Sequence, residues 1–323
     1  MNPPSDRTAP ADGAARRRDV LSWIAACVAV VALGAVAWAC LTAWEAIVHG
    51  HPAYAVLLGL TALLAAAGIA VALRGARPRT ALRLTARIAL VIAASSGIAV
   101  VAWLRPYPVV EPALAAMHSD DRVTVTESAD RIVFSPTGEP FATAVFFQPG
   151  ALVDARAYAA VLRPLAEAGH PVVIAKQPLG IAFLATGAFD AARSVLPDAS
   201  AWVVGGHSLG GTVASLQADQ ADQVAGLLLY ASYPASDIRE SLTADVLSIS
   251  GTEDGLATPE KITASAATLP ADAEFLVLEG VSHAQFGAYG PQPGDGVPQV
   301  SDETARTWIS DASVMFVDDA GAD

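Results

Sequence analysis

The chain has 323 residues and two cysteines, and both, Cys27 and Cys40, fall inside its first long apolar run. On one helix they stand about 20 Å apart at 1.5 Å per residue, so they cannot bridge. Whatever follows that run is free of disulfides, which fits an oxidising compartment without requiring one. No His/Cys group has metal-ligand spacing and no glycine loop has the form that cradles phosphate, so no cofactor is expected. Basic charge is scarce beyond residue 105. Residues 106–323 carry 9 basic and 28 acidic side chains, net −19, against 10 and 4, net +6, for residues 1–105, which together make the chain's −13. So acidic a domain excludes nucleic acid as a partner and disfavours lying flat on anionic headgroups. Solubility is the plain use of that charge.

Long apolar stretches, by contrast, are plentiful near the amino terminus. Leu21 to Val48, Ala53 to Leu73 and Ile88 to Leu104 each approach or exceed the roughly 20 residues that cross a bilayer, and three transmembrane helices are expected. Arg83 and Arg87 interrupt a longer pattern before the third and are placed at the interface by snorkelling. Trp23, Trp44, Tyr54 and Trp103 lie near the expected ends, where interfacial aromatics collect. Arg16, Arg17 and Arg18 precede the first span, and Arg74, Arg77, Arg79, Arg83 and Arg87 lie in or beside the second loop, while 49–52 carries no Lys or Arg. The positive-inside rule then puts the amino terminus in the cytoplasm and everything after Arg105 outside the cell membrane.

Composition divides the chain into a polar cytoplasmic tail, 1–18, a membrane region, 19–105, a linker with three prolines, 106–121, a globular domain, 122–316, and an acidic tail, 317–323. In the domain, short strands at Val123 to Val125 and Ile132 to Phe134 precede strands near 143, 172, 202, 226, 246 and 275 that alternate with helical stretches, the clearest being Ala157 to Ala168, Leu209 to Ala221 and Asp302 to Phe316. Alternation of this kind makes an α/β fold, a mostly parallel sheet with helices on both faces. Only about fifteen residues separate the strand ending at Tyr230 from that starting at Val246, too few for a large cap, so an open pocket is expected. Pro178 to Asp198, with Phe183, Leu184 and Phe189, is either an apolar wall near the site or a helix packed on the sheet.

The most informative stretch is Ala201 to Gly211, where an apolar run enters Gly206-His207-Ser208-Leu209-Gly210 and a helical pattern leaves it. A strand reversing directly into a helix presents a serine at a strained turn, and the flanking glycines remove side chains that would collide. A chain rich in Gly and Ser produces this pattern by chance often enough that context must carry it. Val246 to Ser250 is a strand that runs into Gly251-Thr252-Glu253-Asp254-Gly255, with a carboxylate at the turn; Glu274 to Leu278 is another, followed by His283. Nucleophile, acid and histidine thus follow successive strands in that order. Ser208 is the candidate nucleophile, with an ordinary helix N-cap as its rival role. Asp254 is the candidate acid, with Glu253 and Asp245 nearby, and His283 the candidate base, ahead of His118, His170 and His207. A serine hydroxyl needs an imidazole to take its proton, so activity should rise with pH as that imidazole deprotonates. Two backbone N–H groups must meet the developing oxyanion. Leu209 supplies one, and the loop after the strand Thr143 to Phe147 the other, from Ala151 or its neighbours Gly150 and Leu152.

With these residues in view the chain resembles the α/β-hydrolase superfamily, and within it the bacterial group called alpha/beta hydrolase fold-5, over most of Val123 to Phe316. The likeness rests on Phe147-Gln148-Pro149-Gly150 with Val153-Asp154 and Ala157-Tyr158, on Lys176-Gln177-Pro178-Leu179, on Gly205 to Gly211, and on Ser282-His283-Ala284-Gln285-Phe286-Gly287 continuing through Tyr289-Gly290, Gln292 and Gly294-Asp295-Gly296. The group often has a second glycine where Ala151 stands and an asparagine where Ser282 stands. What the resemblance implies is a hydrolase acting on a small-molecule ester or related acyl compound. Gln285, Tyr289 and Asp295 become candidates for shaping its acyl or alcohol site. Acyl transfer by the same residues, or a non-catalytic binding module on the same fold, are the alternatives.

Overall fold

The computed structural model describes residues 20–74 and 80–321. The apolar runs form α1 (Val20–His49), α2 (Pro52–Arg74) and α3 (Ala81–Trp103), all long and apolar enough to cross a membrane. The third helix starts seven residues before the expected Ile88, because arginine is a good helix former and the turn closes on Thr80, whose hydroxyl accepts the Arg83 N–H at 3.4 Å. Arg87 donates to the Ser22 hydroxyl at 2.9 Å. Arg16, Arg17, Arg18, Arg77 and Arg79, on which the expected orientation partly rests, lie outside the described residues, as do the rest of the 1–18 tail and the last two residues of the acidic tail. Leu41, Leu63, Leu64 and Leu82 point outward uncovered, an exposure that water alone would not tolerate over so large an area.

The described residues form two compact units. One joins 20–38 to 58–103, with Ala29, Ala32 and Ala65 packed against Leu33, Ile69 and Ile98. Small side chains let helix backbones approach closely. The other unit joins 39–57, the adjoining ends of α1 and α2 with the turn between them, to 104–321. Helix α1 departs from helical geometry at Ala43 (φ −145°, ψ 30°), inside this second unit.

The second unit is built on eight strands, β1 (Val123–Glu127), β2 (Arg131–Pro136), β3 (Thr143–Gln148), β4 (Val172–Ala175), β5 (Ala201–His207), β6 (Val224–Tyr230), β7 (Asp245–Gly251) and β8 (Glu274–Leu278), in the order β1-β2-β4-β3-β5-β6-β7-β8. β2 runs antiparallel to both of its neighbours, β1 and β4, near one edge, and the other pairs are parallel. Central strands buried on both faces read as unbroken apolar runs. On β3 the side chains alternate between two cores: Val145 and Phe147 join Leu162, Leu165, Ile309 and Val317, while Ala144 and Phe146 join Phe189, Trp202, Ala214 and Leu242. The first core is roofed by α5 (Ala159–Ala168) and α9 (Asp302–Ala320), the second by α6 (Ala188–Val195) and α7 (Leu209–Asp219), and α8 (Pro259–Ser265) follows β7. Helix α9 starts on Ser301, which accepts the Thr304 N–H, with Asp302 and Glu303 favourably placed in its first turn.

Residues 106–121, expected as a linker, are packed. Tyr107 bridges Val153, Val109 and Ala113 are buried in the first core, and Ala113–Ala116 forms a single turn, α4. The connection from Tyr230 to Asp245 contains no helix, in keeping with the short spacing. Pro178 to Asp198 holds two short 3-10 turns, which form a strap after β4, and then α6, whose Phe189 and Ala192 are buried in the second core as a helix packed on the sheet.

Candidate active site

Parallel strands β3, β4, β5 and β6 all end at one edge of the sheet, and just past each end stands a non-glycine residue with positive φ: Leu152 (61°), Leu179 (56°), Ser208 (52°) and Ala231 (45°). Such backbone costs roughly 1–3 kcal/mol per residue and gathers where a site over-determines it. Ser208 sits at φ 52°, ψ −125°, and its side chain does not cap α7, so the ordinary N-cap role is not the one it adopts. Its N–H bonds the Tyr230 carbonyl at 3.0 Å and its own carbonyl accepts from the Ser232 hydroxyl at 2.6 Å. The glycines act as anticipated: a Cβ on Gly206 would stand 2.5 Å from the Gly210 carbonyl carbon, and one on Gly210 would overlap the carbonyl oxygens of Gln148 and Pro149. The elbow therefore lies directly against the end of β3.

Asp254 and His283 meet across 29 residues of chain: His283 Nδ1 lies 2.8 Å from Asp254 Oδ2, both side chains essentially buried. The other carboxylate oxygen accepts the N–H groups of Leu256 at 2.8 Å and Ala257 at 2.7 Å, which fixes the carboxylate before the imidazole arrives. With Nδ1 donating to the carboxylate, the lone pair is on His283 Nε2, a buried atom with no partner. The rivals are engaged elsewhere or exposed. Glu253 accepts from Gln299, Asp245 is exposed at the start of β7, and His118 is exposed. His170 is tied to the Thr143 carbonyl and Asp318.

His207 has a larger part than its place beside Ser208 suggests. Its ring lies 4.5 Å from the His283 ring, centroid to centroid, and 5.8 Å from Phe286 in a stacked arrangement. Nδ1 is 2.8 Å from the Tyr158 hydroxyl, which also accepts the Gly150 N–H at 2.8 Å. A neutral phenol has one proton to give, so Tyr158 donates to His207 Nδ1 and the His207 proton is on Nε2. Burial holds His207 well below the ordinary imidazole value, and the adjacent His283 adds to that, so the ring is neutral. Burial likewise drives the Tyr158 hydroxyl far above the ordinary phenol value.

The same bonds single out one donor in the loop after β3. Gly150 N–H goes to Tyr158, Leu152 N–H to the Gly180 carbonyl at 2.8 Å and Val153 N–H to the Gly150 carbonyl at 3.2 Å, which leaves Ala151 N–H as the loop's remaining donor. The alternatives Gly150 and Leu152 are thus already committed. Leu209 N–H opens α7, where the first turn has no intrahelical acceptor. Ala151 does not have positive φ; in this loop that conformation falls on Leu152. A Cβ on Gly150 would stand 2.7 Å from His207 Nδ1, so glycine is required there.

Three residues considered for the acyl or alcohol site hold the scaffold. Asp295 accepts four backbone N–H groups, from Gly255, His283, Ala284 and Gly296, at 2.8–3.2 Å, and so clamps the acid loop to the base loop. Gln285 accepts the Ser282 N–H and donates to the Val300 carbonyl and to Asp302. Tyr289 donates to Gln292. Beneath the strap, Gln177 donates to Gln148 Oε1 and the Pro149 carbonyl, and Gln148 to Gln217. Among the described residues no group of three or more His, Cys, Asp or Glu is placed to hold a metal ion.

Fold and edge define an α/β-hydrolase. The profile of the Alpha/beta hydrolase family matches residues 144–307, half of the chain, and the chain belongs to that family. Among solved structures, a protein of Klebsiella pneumoniae assigned as a dienelactone hydrolase is similar at 15% identity and TM-score 0.49, covering 61% of this chain and 98% of its own. An esterase of Thermogutta terrifontis matches at 18% identity and TM-score 0.43 (62% and 92%), and a monoacylglycerol lipase of Paleococcus ferrophilus at 15% and 0.46 (60% and 99%). No curated protein matches the sequence.

Proposed function

We propose that the protein is a membrane-anchored serine hydrolase that cleaves esters or related acyl compounds, its catalytic domain lying outside the cytoplasmic membrane. The observation that carries this reading is the buried Asp254–His283 pair past the ends of β7 and β8, whose Nε2 has no partner, at the same sheet edge as a serine held at positive φ past the end of β5, with the ring of the serine's neighbour His207 4.5 Å from that of His283. Ser208 Oγ attacks the acyl carbon while His283 Nε2 takes the hydroxyl proton, and Asp254 stabilises the imidazolium that results. The N–H groups of Leu209 and Ala151 receive the oxyanion, a contribution typically worth 10²–10³ in rate per donor. His283 then gives its proton to the departing alcohol, leaving an ester on Ser208. Water, deprotonated by the same imidazole, attacks that ester; the acid departs and the proton returns to Ser208. No cofactor takes part in these steps.

Labelling of the full chain in detergent with a fluorophosphonate checks the reading, because the probe reacts only with an activated serine. A single adduct at Ser208, lost in Ser208→Ala and in His283→Ala, is expected. Absence of any adduct in folded protein would favour a binding module on a hydrolase scaffold.

A further inference from the structure

The active-site edge of the sheet is the edge that meets the adjoining ends of α1 and α2, residues 39–57 of the same compact unit. Helix α3 ends at Trp103, and four residues later Tyr107 pairs with the oxyanion loop on both sides: its N–H bonds the Leu152 carbonyl at 2.7 Å, and its carbonyl accepts the Asp154 N–H at 3.0 Å. The turn between α1 and α2 meets the same edge. Glu45 Oε2 lies 3.4 Å from Arg156 Nη1, His49 Nδ1 3.1 Å from Glu127 Oε2, and Arg105 reaches the Thr42 carbonyl at 3.5 Å. Gly50, His51 and Tyr54 wall a cavity of about 50 Å³ together with Pro149 and Leu152 after β3 and Leu179 and Gly180 after β4. Ser208, after β5, occupies the next strand end along.

Two further features fit a bilayer at this edge. Helix α1 has 30 residues, about 45 Å at 1.5 Å each, against a hydrocarbon core of about 30 Å. The excess allows the stretch beyond the break at Ala43 to stand clear of the core and dock on the domain. The strap after β4 carries Phe183 and Leu184, 47% and 53% exposed, on a short turn three to four residues from the Gly180 carbonyl that holds Leu152; Leu184 and His51 line one cavity. Paired uncovered apolar side chains at the rim of a domain of net −19 suit the boundary of a membrane rather than water.

The geometry points to a bilayer-held substrate: the reactive edge is seated at the membrane surface and takes its ester from that membrane, an uncharged or zwitterionic amphiphile whose acyl chains remain among the lipids while its ester bond reaches Ser208. The inference rests on the serine-hydrolase reading above. Excess acidic charge on the domain sets the preference against anionic esters, and an edge open to the bilayer needs no deep acyl tunnel.

The test uses the full wild-type chain in phosphatidylcholine vesicles and a neutral long-chain ester too insoluble to exchange between them. The ester is placed either in the protein's own vesicles or in separate protein-free ones, with p-nitrophenyl acetate in the water phase as a second substrate. Hydrolysis of the long-chain ester at least tenfold faster in the shared bilayer is expected, a margin beyond the twofold that random orientation can produce. Equal rates from the two placements, or cleavage of the acetate with none of the bilayer ester, would overturn the inference and leave the hydrolase reading standing. Failure to cleave either ester overturns both.

Discussion

Tyr158 connects the loop after β3, the proposed oxyanion loop, to the histidine pair through a single hydroxyl, holding Gly150 on one side and His207 on the other. Replacing it with phenylalanine leaves a buried N–H and a buried imidazole nitrogen unpaired, a cost of about 1–3 kcal/mol each. The loop is then free to move the Ala151 donor away from the oxyanion position. Tyr158→Phe is expected to lower kcat on a soluble ester about tenfold with little change in KM, since the lost interaction acts on the transition state. Stopped assays across substrate concentration separate the two parameters, and a rise in KM alone would assign Tyr158 to ground-state binding. His207 makes a second prediction. Its folded-state value is depressed below the 6.5 of an unfolded imidazole, so between those two values the unfolded chain binds more protons. Stability is therefore fully present above pH 6.5 and falls as pH drops below it, by up to about 1.4 kcal/mol per pH unit from this residue. Chemical unfolding of wild type and His207→Gln at pH 7.5, 6.5 and 5.5 should show a flatter acid slope in the variant.

Among the elements, the 3-10 turn Ala155–Tyr158 joins the oxyanion loop to α5 and depends on a buried ion pair. Arg156 donates through Nη2 and Nε to Asp154 at 2.7–3.2 Å, with side-chain exposures of 4% and 1%, while Asp154 also caps the turn through the Arg156 N–H. The third partner, Glu45, is 66% exposed. Removing one side of a buried pair leaves an uncompensated charge and typically costs 3–5 kcal/mol, whereas an exposed contact is worth roughly 0–1 kcal/mol. Arg156→Met is expected to destabilise by about 3–5 kcal/mol and Glu45→Gln by less than about 1 kcal/mol, measured by thermal unfolding in one detergent. Similar losses for both would mean that the helix turn, and not Asp154, is the partner that matters to Arg156.

For the molecule as a whole, the division into units does not follow the division into apolar and polar sequence. Residues 39–57 belong with the hydrolase domain, and Ala39, Ala43, Ala46, Ile47 and Tyr54 are buried. A chain beginning at Leu104 loses that cover along with the Glu45–Arg156 and His49–Glu127 contacts. Each large apolar side chain left uncovered forfeits about 1.5–3 kcal/mol. The shortened chain is expected to melt several degrees below the full one, roughly 2–4 °C per kcal/mol for a domain of this size, in scanning calorimetry of both in the same detergent. Coincident melting temperatures would show that the turn rests on the domain without supporting it.

Strand spacing is local, so the eight strands, the mostly parallel sheet, the absence of a large cap and the three apolar helices were all legible in the chain, as was the placement of Ser208, Asp254 and His283 just beyond strand ends. The pattern also narrowed the candidates for a second oxyanion donor to three adjacent residues. Choosing among them needed partners from elsewhere, Tyr158 for Gly150 and Gly180 for Leu152, because hydrogen bonds across 8 and 28 positions leave no mark on the loop's own composition. Positive φ at Leu152, Leu179 and Ala231 had no signal either, since glycine, the residue that ordinarily announces it, is absent from those positions. Asp295, a candidate for shaping the acyl or alcohol site from the resemblance and its neighbourhood, clamps backbone N–H groups, and His207 is a buried neutral ring against His283; neither contact is written in the local sequence. By itself the sequence determined the elements and their order, because hydrophobic period and turn chemistry are written within a few residues. Only the tertiary structure decided which donors remain free, which charges are buried, and which edge of the sheet meets the turn between α1 and α2, because each of these depends on groups brought together from distant parts of the chain.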